Sequence, residues 1–138
     1  MNVLETEWWS LALPPEWWAD TEEESILIGD RDGVGTIEIS TLHKETGEFD
    51  SAGVAQIARM ESESDGWEAV RLGDFSGVSA TSEEEDTALR EWFVACGGLL
   101  LYVTYSCELE NRGMDDSAVD ELLDTLSVLD AEPAQQDV

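Results

Sequence analysis

The chain has 138 residues and carries 33 Asp and Glu against 6 Lys and Arg, a formal net charge of −27 at pH 7. That balance excludes a nucleic-acid backbone and an anionic membrane surface as partners, because both are held by Lys and Arg. A basic protein partner or a salty solvent is what such a surface suits.

The rest of the composition predicts a folded domain. The length is that of one domain, and six tryptophans supply large apolar area for a core. Disordered acidic chains lack aromatic and β-branched residues, which occur here in periodic runs. The first seven residues are acidic where a signal peptide is basic, and no apolar segment follows them. The longest apolar run, residues 97–103, is too short to cross a bilayer. A cytoplasmic location is therefore expected.

In chain order, Trp9, Leu11 and Leu13 share one face of a strand over residues 8–13, which Pro14-Pro15 stops. Residues 25–29 form a short strand, and Asp30-Arg31-Asp32-Gly33 is a turn. Residues 35–42 resume the alternation, with Ile37 and Ile39 on one face, so these two runs make a hairpin. Asp50-Ser51 opens a helix carrying Val54, Ile57 and Ala58 at helical spacing, which frays beyond Met60. Residues 67–80 are strand-like, with Gly73 and Gly77 at a bend or bulge. Residues 82–86 are a charged turn.

Residues 87–95 and 99–107 flank Gly97-Gly98 and give the clearest hairpin signal in the chain. One face carries Trp92, Val94, Leu101, Val103 and Tyr105. The other carries Leu89, Phe93, Leu100 and Tyr102. A hairpin apolar on both faces belongs at the centre of a sheet covered on both sides. The last helix opens at Asp115-Asp116-Ser117, with Ser117 and Asp120 at capping-box-like spacing. Val119, Leu122, Leu123 and Leu126 give it one apolar face, and it is expected to run to Leu129.

The fold class expected is α+β, an antiparallel sheet with helices packed on its faces, in the element order β-β-β-α-β-β-β-α. One domain covers residues 1–130, and 131–138 are a disordered acidic tail. That order, the motif Leu13-Pro14-x-x-Trp17 after Trp9-Ser10-Leu11-Ala12, the long late hairpin and the closing helix over 117–129 resemble Mog1/PsbP-like domains. The resemblance spans roughly residues 7–129. It implies a sheet covered by helices on both sides and an accessory or binding role. Mog1 engages a small GTPase and PsbP supports a photosystem; neither role passes to this chain on fold alone.

Residues with chemical potential are few. If Cys96 pairs opposite Leu99, Cys107 falls opposite Ala88, roughly 27 Å away at about 3.4 Å per residue. A disulfide needs Cα atoms within about 7 Å, so two free thiols and a reducing compartment are expected. His43, the only histidine, stands at a strand end and reads as a surface residue. Neither G-x-S-x-G nor H-E-x-x-H is present. Asp30, Asp32 and Gly35 match positions 1, 3 and 6 of a calcium loop. Val34 and Thr41 stand where its remaining carboxylates belong, so the segment reads as a hairpin turn. Gly33-x-Gly35 is not a phosphate loop, and 33 acids make any glycosidase-like pair uninformative. No catalytic residue, cofactor-binding residue, metal ligand or cofactor is assigned.

The doublets Trp8-Trp9 and Trp17-Trp18 are the most unusual local feature. Strand neighbours point to opposite faces, so one of each pair packs inside and the other covers an edge or anchors a partner. The candidate partner-binding residues are Trp8, Trp18, Glu22, Glu23 and Glu24. The expected function is that of a small acidic noncatalytic protein-binding or accessory protein engaging a basic partner. An immunity-type inhibitor of a cationic toxin, an enzyme of unrecognised type, and a salt-adapted domain whose charge has no partner remain as alternatives. The scarcity of lysine, Lys44 alone, fits the last. Nothing in the residues sets the oligomeric state.

Overall fold

Strong alternation on both faces puts two long strands at the middle of the structure. In the computed structural model, which describes residues 2–23, 25–31, 33–62 and 64–129, these are Thr87–Cys96 and Leu99–Glu108. Numbered with their neighbours, the strands are β1 (Asn2–Glu5), β2 (Trp9–Leu13), β3 (Trp17–Thr21), β4 (Ser25–Asp30), β5 (Gly35–His43), β6 (Glu68–Leu72), β7 (Phe75–Glu84), β8 and β9 as above, and β10 (Ser127–Val128). Helix α1 (Ser51–Glu61) lies between β5 and β6, and α2 (Asp116–Leu123) follows a short 3-10 turn after β9. β3-β4-β5-β9-β8-β7-β6 form one antiparallel sheet, and β1-β2-β10 form a second, smaller one. The fold is α+β and mostly antiparallel, as expected.

Both faces of the central hairpin are covered. On one, Trp92, Val94, Leu101, Val103 and Tyr105 pack with Val119, Leu122 and Leu123 of α2 and with Trp9, Leu11 and Leu13 of β2. On the other, Phe93, Ala95 and Leu100 pack under Val54 and Ala58 of α1. Asp50 caps α1: its Oδ1 accepts the Gly53 N–H at 2.6 Å, satisfying one of the four orphan donors of the first turn. The hairpin register sets Cys96 opposite Leu99 and Cys107 opposite Ala88, and both thiols are free.

Several elements differ from the sequence expectation. β1, β3 and β10 are additional strands. Residues 67–80 are two strands, because the chain reverses at Gly73-Asp74, where Gly73 adopts φ +59° and supplies a tight turn at no steric cost. Pairing of β7 with β8 persists to Glu84 opposite Thr87, so the charged turn shrinks to Glu85-Asp86. The closing helix stops at Leu123. The Thr125 hydroxyl donates to the Leu122 carbonyl at 2.7 Å and accepts the Ala12 N–H at 2.9 Å. This turns the chain so that Leu126 is still buried and Ser127 and Val128 pair with β2. The capping-box pair does not form. The N-cap position is Asp115, while Asp116 and Asp120 bind Arg90 at 3.4 and 2.8 Å. The expected tail over 131–138 lies outside the described residues.

Gly77 sits where β7 crosses closest to β8. A Cβ there would collide with the Phe93 carbonyl and the Val94 Cα, which are backbone and cannot swing away. Gly77→Ala is expected to destabilise the protein by roughly 3 kcal/mol through overpacking. Urea unfolding of the variant and the parent measures it; a loss near zero would contradict this strand spacing.

Candidate partner-binding surface

β1 ends at Glu5, and Thr6 builds the turn into β2. Its Oγ1 accepts the N–H groups of Trp8 and Trp9 at 3.0 Å each. That turn sends the two indoles different ways. Trp9 is fully buried and donates from Nε1 to Thr41 Oγ1 at 2.9 Å. Trp8 is half-buried and stacks on the His43 ring, with centroids 4.1 Å apart and planes 15° from parallel.

The β3–β4 hairpin carries Glu22 and Glu23 to the same place. Together these segments enclose an open groove of about 750 Å³. Glu5, Glu7, Trp8, Glu22 and Glu23 line its walls, with Ile26, Ile39 and Thr41 of the main sheet among them. Among the described residues, no Lys or Arg lines it. Arg90 and Arg112 are engaged elsewhere, with Asp116, Asp120 and Glu83. Lys44 lies over the Phe49 ring and donates to the Glu48 carbonyl. Desolvating the groove against a neutral surface would strand several carboxylates, so a cationic surface is its electrostatic complement.

Of the residues singled out from sequence, Trp8, Glu22 and Glu23 therefore share one groove. Trp18 does not join them. It lies on the opposite face of β3 from the buried Trp17, is 44% exposed, and rests on Gly29, where a Cβ would overlap its indole. Glu24 lies outside the described residues. Glu5, Glu7 and His43 were missed. The two glutamates belong to the end of an unread strand and the turn after it. The Trp8–His43 stack joins the turn before β2 to the end of β5, which no local spacing signals.

The most deeply buried carboxylate among the described residues lies elsewhere. Glu91 on β8 is 4% exposed. Its Oε1 accepts the hydroxyls of Ser62 at 2.9 Å and Ser64 at 2.6 Å, and its Oε2 accepts the Tyr102 hydroxyl at 2.6 Å. These neutral donors satisfy the carboxylate and tie the end of α1 to the sheet. Burial pushes the Tyr102 phenol up, and the hydrogen bond to Glu91 adds to it. Burial also raises Tyr105, helped by the adjacent Asp115 carboxylate, to which its hydroxyl donates at 3.1 Å. Burial raises both cysteine thiols and keeps them protonated, poor nucleophiles. In the Asp30 turn, Asp30 Oδ1 accepts the Gly33 N–H at 2.9 Å, an Asx-type turn; Asp32 is outside the described residues. Among the described residues no group of His, Cys, Asp and Glu is arranged to hold a metal ion, and no helix is long and apolar enough to cross a membrane.

No protein-family model matches the sequence, and no curated protein matches it. Among solved structures, the chain is similar to a protein of Bacteroides thetaiotaomicron VPI-5482, with a TM-score of 0.66 at 18% identity, over 89% of this chain. It spans 46% of that protein's length, and the likeness is one of fold. It is also similar to the solution structure of the cyanobacterial PsbP of Synechocystis sp. PCC 6803, with a TM-score of 0.46 at 10% identity, over 91% of this chain and 90% of that one.

Tyr102 and Tyr105 are the two tyrosines of the chain, and both phenols are held above the usual value of about 10. The native state then binds these protons more tightly than the unfolded state. Their contribution to stability is intact below about pH 10 and is lost as pH rises through the native values. Tyrosinate absorbance is expected to stay absent at pH 10 to 11 in the folded protein and to appear together with alkaline unfolding. Ordinary titration near pH 10 with the fold intact would contradict both hydrogen bonds.

Proposed function

We propose that this chain is a noncatalytic accessory or protein-binding domain, and that it engages a basic protein through the groove of Trp8, Glu22 and Glu23. The observation that carries the proposal is the convergence of an aromatic shelf and four carboxylates, Glu5, Glu7, Glu22 and Glu23, with no cation among the described residues that line the groove. Trp8 has the anatomy of a hot spot: it is half-buried, stacked and ringed by charge. The surrounding acid supplies long-range attraction, which acts on encounter more than on residence. The two free thiols support a reducing, cytoplasmic setting. No residue is assigned a catalytic role: the buried carboxylate is satisfied by hydroxyls, and the thiols are held protonated.

The two kinds of side chain should separate kinetically. With a basic partner captured from the source cells at low salt, Trp8→Ala is expected to raise koff roughly tenfold with little change in kon. Replacing Glu22 and Glu23 with Gln is expected to lower kon and flatten its salt dependence. Surface-immobilised binding kinetics with both variants decides it. If both bind as the parent does, the groove is not the interface and the acidic skin serves solvation alone.

A further inference from the structure

The main sheet ends at β3, whose outer edge pairs with nothing among the described residues. Hydrogen-bond parity along that strand is fixed at both ends. The Glu22 N–H donates to the Ser25 carbonyl at 2.8 Å, and the Glu16 carbonyl accepts the Arg31 N–H at 2.9 Å. In an antiparallel pair, bonded positions alternate along the strand. Trp18 and Asp20 therefore turn their backbone groups toward β4, and Trp17, Ala19 and Thr21 turn theirs outward. The Trp17 N–H is already used by the Pro14 carbonyl at 3.0 Å. The Trp17 carbonyl and both backbone groups of Ala19 and Thr21 are left at an exposed edge.

Resting on the function proposed above, we infer that this edge receives an extended segment of the basic partner as an added strand, in which cationic and apolar residues alternate. Residues of the added strand on the Trp18 side would lie beside an exposed indole and the Asp20 carboxylate, which favour Lys or Arg. Those on the other side would lie beside Ala19, which is exposed but pairs with the buried Ile28, and this favours an aliphatic residue. Strand addition takes its affinity from main-chain bonds and its specificity from such alternate side chains. The edge runs directly to Thr21 and Glu22, which line the Trp8 groove, so one extended segment can use both. Natural sheets protect free edges with charged side chains, above all Lys, and with Pro; β3 carries no Lys or Pro between Trp17 and Thr21, and its one charge, Asp20, is anionic and would attract a basic segment. The opposite edge strand, β6, also has no outer neighbour among the described residues, but it carries Arg71, a like charge to a basic segment. At the Leu72 end of β6 the next turn is closed by the segment after α2, where the Asp74 N–H donates to the Leu126 carbonyl and Asp74 accepts the Val128 N–H.

Two peptides of equal length and charge test this, each about ten residues long: one alternates Lys and Val, the other Lys and Pro, which lacks every second N–H. The Lys–Val peptide is expected to bind roughly tenfold tighter and to slow amide exchange at Ala19 and Thr21. Ala19→Pro removes an outward N–H and leaves the β4 ladder intact. It is expected to lower Lys–Val binding to the Lys–Pro level; Thr21→Pro serves the same purpose should the first variant fail to fold. Equal binding of the two peptides, protection confined to other strands, or full binding by the proline variant overturns the strand addition. If both peptides bind equally and Trp8→Ala weakens both, the groove remains the interface while the added strand falls. If neither binds, both fall.

Discussion

A hairpin that is apolar on both faces cannot be left against water on either. Trp92, Val94, Leu101 and Val103 on one side and Phe93, Ala95 and Leu100 on the other are all buried, and each large one is worth about 1.5–3 kcal/mol out of water. Everything else in the fold answers that demand. α1 covers one face over β7 and β8. α2 and β2 cover the other, and β10 ties the end of the chain back onto β2. Because α1 lies over β7 and β8, the β3–β4 flank keeps its outer face open. That is where Trp18 and Leu27 remain at least partly exposed.

Charge follows the same division. The interior holds few carboxylates, and they are satisfied locally: Glu91 by three hydroxyls and Asp30 by its own turn. The remaining acids among the described residues are partly or fully exposed, where like charges repel and salt screens them over about 8–10 Å. With six cations in the whole chain, internal ion pairing cannot neutralise that field. Pairs such as Arg90 with Asp116 and Asp120 cross from β8 to α2 and are partly exposed, worth well under the packing beneath them. The net charge therefore acts mainly outward, on whatever approaches.

The central hairpin was legible because Gly97-Gly98 fixes a register and both alternating faces are apolar. Even the cysteine partners, Leu99 and Ala88, follow from it. α1 was legible from Asp50 and three spaced apolar residues. β3 was not, since of Trp17-Trp18-Ala19-Asp20-Thr21 only Trp17 is buried and an edge strand shows no alternation. The length of α2 was misread for a related reason. Leu126 continues the helical spacing, yet it reaches the core through a turn made by Thr125, a tertiary contact with Ala12. The groove was half legible. Trp8 and the Glu22-Glu23 run stand out as residues, but their meeting depends on how the small sheet sits over the large one, and Glu5, Glu7 and His43 enter only through that geometry.

Native-state amide exchange across a denaturant series reads this hierarchy residue by residue. If the doubly covered hairpin holds the molecule together, the amides of Phe93, Val94, Leu101 and Val103 exchange only through global unfolding. Those of Trp18 and Asp20, bonded to β4 at the open flank, then exchange earlier, through local opening with little denaturant dependence. Equal protection of β3 and the hairpin, or local exchange within β8 and β9, would contradict it.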